Sequence, residues 1–119
     1  MKKILVVEDN EINMYLCCRI IKSSGYEVIE ARTGEEGVAL ALKERPDLII
    51  MDIQLPGIDG LEATKRIRES EADGEIPIIA LTSYAMAGDK KKAISVGCTS
   101  YIEKPINPDT FIAEIEKYL

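Results

Sequence analysis

The chain has 119 residues, 46% of them apolar, and a formal net charge of −6. That length fits one domain able to bury a core without disulfides, and the apolar content excludes disorder. The acidic balance argues against direct nucleic-acid binding and against docking on an anionic membrane, while the absence of His excludes Ser-His and Cys-His catalysis and His-containing zinc sites.

Residues 4–7 form a short continuous apolar run, which suits a strand buried on both faces and is far too short for a signal peptide or a membrane span. Ile12, Leu16 and Ile20 recur at helical spacing, and Gly25 stops that helix. Residues 26–31 read as a second strand. Thr33 with Glu36 is a capping box opening a second helix, which ends before Pro46. Residues 48–51 are another buried run. Residues 54–60 contain Pro56, Gly57 and Gly60 and read as a loop, and Asp59 with Glu62 caps a third helix reaching roughly Ser70. A polar connection at 72–75 leads to a fourth strand at 78–81. A fourth helix is predicted over roughly 85–96, ended by Gly97, then a short fifth strand over 100–103. Asn107 followed by Pro108 starts the last helix, with Phe111, Ile115 and Tyr118 on one face.

Strands joined through helices must run parallel, with helices on both faces of the sheet. The expected fold class is therefore α/β. Five Tyr, one Phe and no Trp mean a mostly aliphatic core. The cysteines, Cys17, Cys18 and Cys98, are odd in number and make a poor disulfide framework, so reduced thiols in a cytoplasmic protein are expected.

In an open parallel sheet, ligands bind beyond the carboxyl ends of the strands, near the point where strand order reverses. Glu8 and Asp9 follow strand one, Asp52 follows strand three, Thr82 and Ser83 end strand four, and strand five runs into Lys104 and Pro105. Strand two ends in Glu30, Ala31 and Arg32, which suggest no chemistry. Each residue alone has an ordinary explanation: an acidic turn, a capping carboxylate, a β-branched strand residue, a surface lysine. Their coincidence at one sheet edge is the signal. Three close carboxylates repel, and a divalent cation relieves this. Mg²⁺ takes oxygen ligands and is commonly held by one or two carboxylates plus a phosphate. The pattern therefore suits Mg²⁺ and a phosphoryl group. Asp9 and Asp52 would hold the metal, with Glu8 acting through a metal-bound water. Lys104 and Thr82 would meet phosphoryl oxygens, and Asp52 is also a nucleophile candidate.

These residues resemble the receiver domains of two-component systems. The likeness covers residues 3–118 and rests on ILVVEDN at 4–10, MDIQLPGIDG at 51–60, ALTSYA at 80–85 and YIEKPI at 101–106. It implies a flavodoxin-like (βα)5 three-layer sandwich with strand order 2-1-3-4-5, as a single receiver domain over residues 1–119. It implies phosphorylation of Asp52, with Glu8, Asp9, Asp52 and the Gln54 backbone carbonyl around Mg²⁺. Thr82 and Tyr101 would be the switch pair, and Lys104 the family's lysine, followed by Pro105, commonly through a cis bond. Gln54 and Tyr84 would tune dephosphorylation, Tyr84 by restricting the attacking water. The implied partners are a histidine kinase or histidine phosphotransfer protein and a downstream protein target, the latter met through the surface around 84–118. The chain would be a monomer or a weak phosphorylation-dependent dimer, and no enzyme beyond its own phosphoryl uptake and slow self-dephosphorylation. The stretches VEDNEIN and MDIQLPGIDGLE are similar to receivers of hybrid kinases and of DivK-like stand-alone regulators. Starting at Met1 with no output domain, the chain reads as stand-alone in preference to the alternative, a piece cut from a hybrid kinase or a longer regulator.

Two other classes fit less well. An aspartyl phosphatase of the haloacid dehalogenase type needs a second Asp two residues after the nucleophile, where this chain has Gln54. A flavodoxin needs a hydroxyl- and glycine-rich loop after strand one, whereas Glu8-Asp9-Asn10 would repel a metal-free phosphate.

Overall fold

A computed structural model describes residues 1–70, 76–83 and 87–119, leaving aside the side chains of 87–89. Along the chain, β1 (Lys3–Val7), α1 (Glu11–Ser23), β2 (Glu27–Ala31), α2 (Gly34–Glu44) and β3 (Leu48–Asp52) are followed by α3 (Gly60–Ser70), β4 (Ile78–Thr82), α4 (Ala87–Ser95), β5 (Ser100–Glu103) and α5 (Pro108–Glu116). Every expected strand and helix is present, with ends displaced by a residue or two. The connection at 72–75, residues 85–86 of the expected fourth helix and Tyr84 lie outside the described residues.

Local chemistry explains where the helices begin. Asn10 Oδ1 accepts from the Asn13 N–H at 3.0 Å, Thr33 Oγ1 from Glu36 N–H at 3.0 Å, Asp59 Oδ1 from Glu62 N–H at 2.8 Å, and Asn107 Oδ1 from Asp109 N–H at 3.0 Å. Each satisfies an otherwise orphaned first-turn donor. The Thr33 box is not reciprocal: Glu36 Oε1 accepts from the Arg32 N–H at 3.1 Å. Gly25, at φ 91°, ends α1 in a left-handed turn that a side chain would disfavour.

The strands form one parallel sheet in the order β2-β1-β3-β4-β5. The sheet separates two aliphatic clusters. On one side Ile4, Val6, Leu48, Ile50, Ile79 and Leu81 meet residues of α1 and α5; on the other Leu5, Val7, Ile49, Met51, Ile78 and Ala80 meet residues of α2, α3 and α4. Alternate residues of the same strands feed opposite faces, as a sheet covered on both sides requires. This is the flavodoxin-like three-layer arrangement, with the order reversing between β1 and β3.

The spacing of Ile12, Leu16 and Ile20 marks α1 but not its buried face. Met14, Cys17, Cys18 and Ile21 are buried, while Ile12 is 72% and Leu16 38% exposed. Both sets satisfy helical periodicity, and the sulfur-bearing set won the core. All three cysteines are free thiols. Among the described residues, no helix is long and apolar enough to cross a membrane.

Candidate functional site

The strand order places the ends of β1, β3, β4 and β5 side by side, and the sheet ladder runs on into the loops. The Ile53 N–H donates to Leu81 O at 3.0 Å and the Lys104 N–H to Thr82 O at 2.8 Å. The residues that leave these strands are thereby fixed by main-chain bonds. Gly60 completes the support: its N–H donates to Ile53 O at 2.9 Å, and a Cβ there would stand 2.1 Å from Asp52 O.

The carboxylates of Glu8, Asp9 and Asp52 bring ligand oxygens within 4.8 Å of one another. Glu8 and Asp52 are buried and Asp9 is exposed, so the group opens to solvent on the Asp9 side. Lys104 reaches in from the β5 end. Its Nζ donates to Asp52 Oδ2 at 2.9 Å and lies 3.1 Å from Glu8 Oε1. The second contact is electrostatic only: Glu8 Oε1 is buried and has no well-directed hydrogen bond. Asp52 Oδ1 accepts from the Gln54 N–H at 3.0 Å, and Glu8 Oε2 from the Asn10 N–H at 3.3 Å.

Three carboxylates against one ammonium leave this pocket short of positive charge. Burial first, and then the neighbouring Asp52 carboxylate, push Glu8 up to about 7, and Lys104 offsets this only in part. Lys104 is also raised: burial opposes its charge, but Asp52 and Glu8 outweigh that and hold it above the ordinary lysine range. A buried carboxylate oxygen without a directed donor, among hard oxygen ligands, is the setting a small divalent cation fits, and Mg²⁺ suits such a donor set. Glu8, Asp9 and Asp52 are the residues able to hold it.

Of the other expected residues, Thr82 is buried at the end of β4, and Gln54 is exposed beside Asp52. Tyr101 is half-buried on β5, two residues before Glu103, the register partner of Thr82. The Lys104–Pro105 bond is cis. Sequence reasoning brought Glu8, Asp9, Asp52 and Lys104 together correctly. It missed Lys90, whose Nζ lies 4.6 Å from the Tyr101 ring centroid; no sequence signal pointed to it. It also passed over Arg32, which pairs with Glu11 and Glu30.

The family model of the response regulator receiver domain matches residues 4–116. The chain belongs to this family. Receivers are signalling domains of two-component systems. A curated relative, the polar-differentiation response regulator DivK of Brucella anthropi, is 48% identical over 118 residues, covering 99% of this chain and 96% of that protein. Among solved structures, the Vibrio cholerae chemotaxis protein CheY4 superposes with a TM-score of 0.94 at 33% identity, covering 100% of this chain and 99% of that one. The receiver domain of a Pseudomonas aeruginosa sensor histidine kinase superposes with a TM-score of 0.91 at 35% identity, covering 98% of this chain and 96% of that one; it was solved with a magnesium ion coordinated in its active-site cleft.

Proposed function

We propose that residues 1–119 act as one receiver domain that accepts a phosphoryl group on Asp52 from a histidine kinase or histidine phosphotransfer protein, with Mg²⁺ held by Glu8, Asp9, Asp52 and the Gln54 carbonyl. The observation that carries this is Asp52 itself. Its carboxylate is buried, fixed at one oxygen by Lys104 and at the other by the Gln54 N–H, and set among acidic neighbours. A carboxylate so restrained is a positioned nucleophile, and positioning with charge neutralisation is most of what phosphoryl transfer asks of a protein. Bound Mg²⁺ supplies the positive charge that the pocket lacks.

The side chains divide the remaining work. An Asp52 oxygen forms the new bond to phosphorus as the donor's nitrogen–phosphorus bond breaks. Lys104 moves its ion pair from the carboxylate to a phosphoryl oxygen. Thr82 donates a hydrogen bond from its hydroxyl to another. The donor belongs to a separate molecule or segment carrying histidine, because this chain has none. Ile12, Tyr15 and Leu16 on α1 expose apolar surface starting three residues beyond Asp9, which offers the donor a landing next to the nucleophile.

The phosphorylated state adds a group of roughly −1.5 to −2 charge. Drawing Thr82 toward it opens space on its face of the sheet for Tyr101, which couples the site to α4, β5 and α5 as the face for a downstream protein. Swinging such an element from 1:99 to 99:1 takes about 5.5 kcal/mol. A few charge-assisted hydrogen bonds at about 1.5–3 kcal/mol each cover that. The formal charge of −6 supports a protein target over nucleic acid.

Radiolabelled phosphoryl transfer from a phosphorylated histidine kinase tests the assignment. Asp52→Asn abolishes uptake while the protein keeps its fold. Uptake by Asp52→Asn at the wild-type rate would show that another residue is the acceptor.

A further inference from the structure

Lys90 projects from α4 over β5. Its Nζ lies 4.6 Å from the Tyr101 ring centroid and 3.2 Å from Glu103 Oε1. Tyr101 and Glu103 are two residues apart on one strand, so they point to the same face. Their register partners on β4 are Ala80 and Thr82. Paired residues of neighbouring strands share a face, so Thr82, Tyr101 and Glu103 form one patch, which Lys90 covers from α4. Tyr101 is also partly packed against the aliphatic cluster on the α2, α3 and α4 side of the sheet. The ring is thus held between that cluster and a cation at its outer side.

We propose that Lys90 is a positioning residue for the switch: its ammonium retains the Tyr101 ring at the outer side of β5 in the resting protein, and Glu103 fixes the ammonium over the ring. This rests on Thr82 and Tyr101 being the switch pair. A cation over an aromatic face is attracted by the ring quadrupole. Glu103, and then Tyr101, raise Lys90 above the ordinary lysine range, so it stays charged at neutral pH. When the ring moves inward toward the space left by Thr82, the contact breaks and α4 loses its grip on β5. The same contact therefore biases the resting state and carries the change to α4. Glu103 and Thr82 are register partners, so the strand position that anchors the ammonium lies next to the residue that starts the movement.

Contacts of this strength matter little to global stability but are sufficient to bias a two-state element. Removing the cation shifts the inward-to-outward ratio of Tyr101 about fivefold toward inward. The test uses the full chain grown with 3-fluorotyrosine and read by fluorine NMR, with Tyr101→Phe assigning the Tyr101 resonance. Wild type, Lys90→Met and Lys90→Arg are compared with Mg²⁺ alone and with Mg²⁺ plus beryllofluoride as a phosphoryl mimic. Lys90→Met keeps the stem and removes the charge, and with Mg²⁺ alone its Tyr101 signal moves toward the beryllofluoride position. Lys90→Arg keeps a cation over the ring and behaves as wild type. Glu103→Gln, which frees the ammonium, moves the signal the same way by less. A Tyr101 signal that responds to beryllofluoride in wild type but ignores Lys90→Met overturns the role of Lys90 alone, as does Lys90→Arg behaving like Lys90→Met. A wild-type signal that ignores beryllofluoride sinks the switch pair, and the role of Lys90 with it.

Discussion

Two ionic clusters stand at the same edge of the sheet, built from the same kinds of residue and placed in opposite surroundings. At the ends of β1, β3 and β5, Glu8, Asp52 and Lys104 have 0, 3 and 13% of their side-chain surface exposed. At the end of β2 and the start of α1, Arg32 binds Glu11 through Nε at 2.5 Å and Glu30 through a terminal nitrogen at 3.0 Å, with 44, 70 and 37% exposed for Arg32, Glu11 and Glu30. The second cluster is screened by water, so its ion pairs are worth little. The first is desolvated and short of positive charge, so Glu8 and Lys104 are both shifted by their neighbours and losing one partner leaves a buried charge uncompensated. Burial, rather than the residue list, separates a candidate reactive site from a surface ion pair.

The largest expected effect comes from removing the one cation of the buried cluster. Lys104→Met keeps most of the stem's packing and leaves Glu8 and Asp52 facing each other without an ammonium. Phosphoryl uptake at saturating Mg²⁺ should fall about 100-fold, the scale of losing one pre-positioned electrostatic contact, in the same labelled-donor assay. A Lys104→Met protein that takes up label at the wild-type rate would mean that this ion pair is structural only.

Gly60→Ala perturbs the same cluster without touching a charge. The added Cβ would sit 2.1 Å from Asp52 O and 2.8 Å from the Ile53 Cα, both main-chain atoms with no flexible end to swing away. Overpacking of this kind costs about 1–3 kcal/mol, read as a lower urea midpoint at an unchanged slope. Because the atom pushed is the carbonyl of Asp52, Mg²⁺ affinity by calorimetry should fall as well. A stability loss with unchanged affinity would show that the strain is absorbed elsewhere.

Cys17 reports the buried cluster from the α1 side. Burial, and then the nearby Glu8 charge, push its thiol from an ordinary 9.0 up to about 12. The folded protein therefore keeps this proton at a pH where the unfolded chain has released it, and its contribution to stability falls as pH rises from about 9 toward 12. Denaturant melts across that range should show a steeper alkaline loss for wild type than for Cys17→Ala. Equal slopes would mean that the thiol titrates normally in the fold. The native thiol should also resist alkylation at pH 8, since the thiolate is the nucleophile.

Much of this molecule was legible in its sequence because two signals are local. Continuous apolar runs located β1, β3 and β4, and Thr33, Asp59 and Asn107 marked helix starts by the hydrogen bonds they make. Parallel connectivity then brought Glu8, Asp9, Asp52 and Lys104 to one edge. What stayed hidden depends on tertiary packing. Ile12, Leu16, Ile20 and Met14, Cys17, Ile21 are both helical stripes, and only the sheet decides which one it covers. Glu8 and Asp9 are adjacent in sequence, and the way β1 ends buries one and exposes the other. Lys90 meets Tyr101 because α4 lies across β5, an approach that neither residue announces.

The smallest expected effect is the strictest test of the comparison between the two clusters. Arg32→Gln breaks both exposed ion pairs, and the Glu11 carboxylate, held below its ordinary value chiefly by the Arg32 hydrogen bond, returns toward it. Since water replaces what the guanidinium supplied, the melting temperature should change by no more than about 2 °C, less still at high salt, and Mg²⁺ affinity and phosphoryl uptake should stay at wild-type levels. A large loss of Mg²⁺ affinity in Arg32→Gln would show that the two clusters communicate through the segment from Asp9 to Glu11, which joins the end of β1 to the start of α1. Solvent would then not be insulating one from the other, and Arg32 would have to be counted among the groups that position Asp9.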